Sequence, residues 1–128
     1  MTISYNRLGS NGRLGNQMFQ YASLRGIANY NQYQWMIPPP DYNHKDNYGL
    51  FDTFEMKHCK PENLGFNDGM TITEKTHAFD DGLFYCTDGV NIDAYLQTED
   101  YFVHIADQIH EDFTFKKDYL EPCQEFIS

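Results

Sequence analysis

The clearest pattern of apolar and polar positions lies between residues 3 and 37. Residues 3–8 form a short, mainly apolar run that predicts a buried first strand. Residues 14–31 carry apolar side chains around most of a helical circumference, which predicts a helix covered on nearly all sides. Residues 33–37 are rich in aromatic and β-branched side chains and precede three prolines, so they predict a second strand. These elements form one βαβ unit with parallel strands.

The remaining pattern predicts shorter elements. Residues 70–74, 77–79 and 92–96 predict strands, residues 50–54 a helical turn, residues 99–112 a helix and residues 116–128 a last short helix. Thr98 is a favourable N-cap for the helix at 99–112. Gly26 is unfavourable in the interior of the long helix, so it predicts a close backbone contact there. The chain is therefore expected to form a single α/β domain over residues 1–128, with a Rossmann-like layer.

A glycine-rich turn joins the predicted first strand to the long helix, with glycines at positions 9, 12 and 15. The first turn of a helix leaves backbone N–H groups unpaired and attracts anions, so strand, turn and helix together predict a site for a phosphate or a nucleotide-sugar. The spacing matches neither G-x-G-x-x-G nor G-x-x-x-x-G-K-[ST]. By spacing alone, a turn that only connects two elements stays open as the other interpretation.

Two motifs carry a family resemblance. The first is Gly12-Arg13-Leu14-Gly15-Asn16-Gln17-Met18-Phe19-Gln20-Tyr21-Ala22. It resembles the N-terminal signature of the α-1,2-fucosyltransferases, glycosyltransferase family 11. The second is Tyr95-Leu96-Gln97-Thr98-Glu99-Asp100-Tyr101-Phe102, followed by Phe113-Thr114-Phe115. It resembles an aromatic segment of the same family, and the two motifs occur in the order that the family has.

The resemblance implies the N-terminal, Rossmann-like half of a glycosyltransferase of the GT-B type. The implied reaction transfers L-fucose from GDP-fucose to the 2-hydroxyl of a galactoside acceptor glycan, with inversion and without a metal or other cofactor. The implied GDP-fucose-binding residues are Gly12, Arg13, Leu14, Gly15, Asn16 and Gln17. Two of them have a simpler interpretation as well, since Asn16 could cap the helix and Arg13 could be a surface arginine paired with an acid.

The sequence departs from the family in one respect. It contains no His-x-Arg-Arg-x-Asp motif, which family members use to contact the nucleotide diphosphate, and its last arginine is Arg25. We therefore expect the isolated chain to be inactive unless a second polypeptide supplies that motif. Two other functions stay open, namely a non-catalytic module that binds a glycan or nucleotide-sugar, and a folded remnant without a ligand.

The charge balance narrows the range of partners. Nineteen acidic and nine basic residues give a formal charge of −10, which argues against nucleic acid or an anionic membrane as a partner. Binding of a diphosphate then requires local positive charge, which Arg7, Arg13 and Arg25 are expected to supply near the turn. The sequence has neither a leader-like start nor a long apolar run, which predicts a cytoplasmic protein without membrane insertion.

Other candidate chemistry is weak. Three cysteines without C-x-x-C spacing predict reduced thiols, and five histidines without convergent spacing or an Asp-x-Asp motif predict that there is no metal site. Inverting transfer needs a base for the acceptor hydroxyl. Asp80, Asp81 and Asp93 are candidates only by residue type, and turn-forming aspartates explain them more simply. The catalytic residues therefore stay unknown at this level.

Overall fold

The computed structural model describes residues 1–9, 14–40, 48–73, 81–94, 96 and 98–116. Strands β1 (Thr2–Ser4), β2 (Gln34–Met36), β3 (Thr71–Thr73) and β4 (Asn91–Asp93) form a parallel sheet in the order β2-β1-β4-β3. The α-helices of the described residues are α1 (Leu14–Asn31), α2 (Leu50–Thr53) and α3 (Ala106–Asp112). Short 3-10 turns cover Pro61–Asn63, Asp81–Tyr85, Glu99–Tyr101 and Val103–Ile105. The fold is therefore α/β, as predicted.

The first βαβ unit is confirmed. Helix α1 has the predicted bounds, and β1 pairs with β2 in parallel, with Ile3 opposite Trp35. Strand β1 is shorter than predicted, because the chain turns after Tyr5, whose carbonyl accepts the N–H of Leu8 at 3.2 Å. The predicted helical turn at residues 50–54 is present as α2.

Helix α1 is covered on all sides over its central turns, as its apolar circumference predicts. Every residue from 20 to 28 is buried. One side faces the sheet, where the Tyr21 ring meets the Trp35 ring at 5.4 Å between centroids. Another side meets the chain after β4, because a Cβ added to Gly26 would lie 1.9 Å from the carbonyl oxygen of Tyr101. The close backbone contact predicted at Gly26 is therefore confirmed.

The two faces of the sheet differ in polarity. Residues paired in register share a face, so Ile3 lies on the α1 side with Trp35, while Ser4 and Asn91 share the opposite face. The segment around Asn67 crosses that polar face, where the Asn67 amide donates to the carbonyl of Thr2 at 3.1 Å. Ser4 and Asn91 are both buried, so this face of the parallel sheet is covered as well.

The chain after β4 differs from the single helix predicted at 99–112. Thr98 does cap it, since its Oγ1 accepts the N–H of Asp100 at 3.3 Å, but two 3-10 turns precede α3. Phe102 separates the two turns with φ −134°, and its Cα lies against Gly26 of α1. We attribute the break to this contact with α1, which the local sequence pattern does not report.

The other predicted elements have mixed outcomes. The predicted strand at 77–79 lies outside the described residues. The strand predicted at 92–96 is present in part as β4, which ends at Asp93. The predicted helix at 116–128 lies outside them after residue 116.

Two of the predicted reduced thiols lie within the described residues. Cys59 is a half-buried free thiol and Cys86 a buried one, while Cys123 lies outside the described residues. Burial raises the pKa of Cys59 to about 12, and the Asp112 carboxylate adds to the effect. Burial also raises the pKa of Tyr21 and of Tyr48 above the ordinary value of 10.0.

These raised pKa values predict alkaline destabilisation. The thiol and phenols keep their protons in the folded state, while Cys59 in the unfolded chain ionises near its ordinary pKa of 9.0. The unfolded state then binds fewer protons, so the free energy of unfolding should be unaffected below about pH 9 and fall as the pH rises further. Urea titrations across this range would measure it, with Cys59→Ala as a variant whose decline is smaller, because burial raises the pKa of Cys86 as well and that thiol remains. An alkaline urea midpoint equal to that at neutral pH would contradict the prediction.

Candidate functional site

The carboxyl ends of β1 and β4 lie side by side at the centre of the sheet. Strand β2 flanks β1 on one side and β3 flanks β4 on the other. In open α/β sheets, ligands bind outside the carboxyl ends of the strands. Helix α1 connects β1 to the parallel β2, so its first turn lies at this same carboxyl edge. The glycine-rich signature therefore lies at the edge of the sheet where ligands bind in this class of fold.

Four of the six predicted binding residues lie within the described residues. Gly12 and Arg13 lie outside the described residues. Leu14 and Asn16 are half-buried, Gly15 is exposed and Gln17 is buried, and together they form the first turn of α1. Because α1 begins at Leu14, Asn16 lies inside the first turn. The interpretation of Asn16 as the cap of the helix is therefore wrong.

Gly15 has open space beside it. A Cβ added there would meet no heavy atom of the described residues within 4 Å, apart from its chain neighbours and its own helix backbone. Packing against the described part of the chain therefore does not require glycine at this position. Instead, the missing side chain leaves the backbone of the first turn accessible to a bound group.

The loop after β2 supports the glycine-rich turn and α1. The Oε1 of Gln17 accepts the N–H of Gly49 at 3.1 Å, which ties this loop to the helix. Gly9 has φ +93°, and a Cβ there would lie 2.6 Å from the ring of Tyr48. The Tyr48 hydroxyl in turn donates to the carbonyl of Pro38 at 2.8 Å. Gln17 thus helps to hold the edge of the site in place.

An ion pair bridges the carboxyl ends of the two central strands. The Nη1 of Arg7, in the turn after β1, donates to the Oδ2 of Asp93, the last residue of β4, at 3.1 Å. The Arg7 side chain is 59% exposed and that of Asp93 is 18% exposed. From the sequence, Asp93 is a candidate by residue type alone, and Arg7 is expected only to add positive charge near the turn. The pairing of β1 with β4, which brings Arg7 and Asp93 together, has no local signal in the sequence.

Arg25 does not contribute positive charge at the glycine turn. Its guanidinium is buried and forms an ion pair with the buried carboxylate of Asp112, to which Tyr21 also donates a hydrogen bond at 2.5 Å. The guanidinium also lies 5.4 Å from the centroid of the Trp35 ring. The expectation that all three arginines serve the turn is therefore wrong for Arg25.

The other candidate groups do not converge on this edge. Within the part of the chain that the structure describes, no three His, Cys, Asp or Glu side chains are placed to hold a metal ion. His58 contacts Glu111 at 3.3 Å, and the Nε2 of His104 lies 2.9 Å from the carbonyl oxygen of Gly26. None of the helices in the described ranges is both long enough and apolar enough to span a membrane.

Comparisons with protein-family models, with curated proteins and with solved structures found no match to this chain. No family is therefore assigned to the chain on that basis. The two sequence motifs and the geometry of the carboxyl edge are the features from which a function can be proposed.

Proposed function

We propose that this chain forms the donor-binding half-site of an α-1,2-fucosyltransferase-like glycosyltransferase, with the Rossmann-like N-terminal half of a GT-B enzyme as its fold. One observation carries the proposal. The motif that resembles the family signature leads from β1 into α1 at the carboxyl edge of a parallel sheet. Motif and topology are independent features, and both favour this edge as the place for a nucleotide-sugar.

The first turn of α1 offers suitable chemistry for the diphosphate of GDP-fucose. The positive end of the helix dipole at this turn favours an anion. Gly15 leaves room for that anion to approach the backbone. In an inverting transfer, electrostatic stabilisation of the departing diphosphate lowers the barrier. On this proposal, the positive end of the α1 dipole would stabilise that departing charge.

We expect this chain to bind the donor without transferring fucose by itself. The sequence has no His-x-Arg-Arg-x-Asp motif, so a second polypeptide would supply those contacts to the diphosphate. A base would accept the proton of the galactoside hydroxyl. No described residue is assigned that role.

Ligand-observed NMR with GDP-fucose tests the half-site. The wild-type chain should show saturable binding, and Gly15→Ala should weaken it about tenfold, or ~1.4 kcal/mol, because a methyl group would occupy the approach to the backbone. Asn16→Ala should weaken binding in the same direction. Asn29→Ala is the matched control, because Asn29 is an exposed asparagine near the other end of the same helix.

Thermal unfolding separates binding from folding in this test. The described residues leave open space around Gly15, so Gly15→Ala should be at least as stable as the wild type. Absence of binding by a folded wild-type chain at millimolar GDP-fucose would refute the half-site and leave a folded remnant. Binding that persists without transfer when the missing motif is supplied in a second polypeptide would indicate a non-catalytic module.

A further inference from the structure

Arg7 has binding capacity beyond its ion pair with Asp93. A guanidinium carries five N–H donors in a planar fork and can hold two anionic groups at once. The Nη1 of Arg7 contacts Asp93, and the side chain is 59% exposed. Arg7 can therefore accept a second anion from solvent while Asp93 keeps its orientation.

The position of Arg7 distinguishes it from the other arginines. Arg25 is buried with Asp112 between α1 and α3, and Arg13 lies outside the described residues. Arg7 follows β1 directly, and its partner ends the adjacent strand β4. Its charge is thus placed at the carboxyl ends of the two central strands, in a chain whose formal charge of −10 otherwise repels anions.

We propose that Arg7 contacts the diphosphate of the bound nucleotide-sugar, and that Asp93 orients the guanidinium while weakening anion binding through its own charge. The identity of the ligand rests on the proposed function. The binding of a phosphate anion by Arg7 does not rest on it, because Arg7 would contact the phosphates and neither the nucleobase nor the sugar. Arg7 is then a binding residue and Asp93 a positioning residue.

The two members of the pair should have opposite effects when substituted. Arg7→Gln removes the cation and should weaken GDP binding about tenfold, as expected for loss of a charge-assisted hydrogen bond. Asp93→Asn keeps the shape of the side chain but removes a negative charge near the ligand, so it should tighten GDP binding about threefold. Both effects should shrink as the salt concentration rises. A purely structural ion pair would instead give effects of the same sign.

Isothermal titration calorimetry at low ionic strength with three probes tests the proposal. Arg7→Gln should weaken binding of GDP and of inorganic pyrophosphate, and leave binding of guanosine, which has no phosphate, unchanged. Asp88→Asn is the matched control for Asp93→Asn, since it changes the net charge equally. Asp88 accepts the N–H of Thr2 at 2.6 Å, at the amino edge of the sheet. The Asp88→Asn variant should leave the affinities for GDP, pyrophosphate and guanosine unchanged.

Each result of these titrations supports or overturns one part of the proposal. Equal affinity of wild type and Arg7→Gln for GDP and pyrophosphate would overturn the role of Arg7, as would a wild type that binds neither. If the Asp93→Asn variant binds GDP no more tightly than the wild type, the proposal that the charge of Asp93 weakens anion binding is overturned. Arg7-dependent binding of pyrophosphate without any binding of GDP-fucose would support the anion site and refute the proposed function. Circular dichroism confirms folding of each variant, and an exposed ion pair contributes little to stability.

Discussion

Replacing Gly26 by alanine should destabilise the protein by about 3 kcal/mol, because the added methyl group overpacks a backbone contact. The new Cβ would lie 1.9 Å from the carbonyl oxygen of Tyr101 and 2.8 Å from the Cα of Phe102. Both atoms belong to the main chain, so no side-chain rotation relieves the overlap. The higher helix propensity of alanine offsets about 1 kcal/mol of this effect at most.

Urea unfolding followed by circular dichroism measures this effect. Gly15→Ala is the matched control, because it is the same substitution in the same helix at a position with open space. The control should unfold at the same urea concentration as the wild type or at a higher one. Equal midpoints for the Gly26 and Gly15 variants would contradict the close contact of α1 with residues 101–102.

Replacing Asp112 by alanine should destabilise the protein by about 3–5 kcal/mol, because it leaves the buried charge of Arg25 without its partner. The Asp112 carboxylate also accepts hydrogen bonds from the Tyr21 hydroxyl at 2.5 Å and from the N–H of His58 at 2.6 Å. These contacts join α1, α3 and the turn near residue 58. Their loss would leave several buried donors unsatisfied.

A small set of variants isolates the buried charge. Asp107→Ala, at an exposed position on the same helix, should change the free energy of unfolding by no more than about 0.5 kcal/mol. A double variant with Arg25→Met and Asp112→Leu should recover much of the stability lost in Asp112→Ala, because no uncompensated charge remains. An Asp112→Ala variant as stable as Asp107→Ala would show that the network does not stabilise the fold.

These core contacts also bear on the proposed site. Residues 20–28 of α1 are buried without interruption, while Gly15 in its first turn is exposed. The buried part of α1 therefore fixes the position of the whole helix, including its first turn at the carboxyl edge of the sheet. Binding groups placed on a rigid element need less ordering when a ligand arrives.

The sequence determined the features that depend on neighbouring residues. The bounds of α1 and the parallel βαβ unit follow from apolar periodicity and from the breaks that flank it. The cap at Thr98 and the close contact at Gly26 also follow from residue types in a local context. The glycine turn could likewise be named as a candidate site, because a strand, glycines and a helix follow each other along the chain.

The tertiary structure decided which distant residues meet. Arg7 and Asp93 are 86 positions apart, and Arg25 and Asp112 are 87 positions apart. The first pair forms because β4 lies beside β1, and the second because α3 packs on α1. Strand order and helix packing depend on how the whole chain buries its apolar surface, which periodicity within one segment does not report. The break at Phe102 has the same reason. The local pattern predicts one helix over residues 99–112, but Phe102 contacts α1 and the helix is interrupted there.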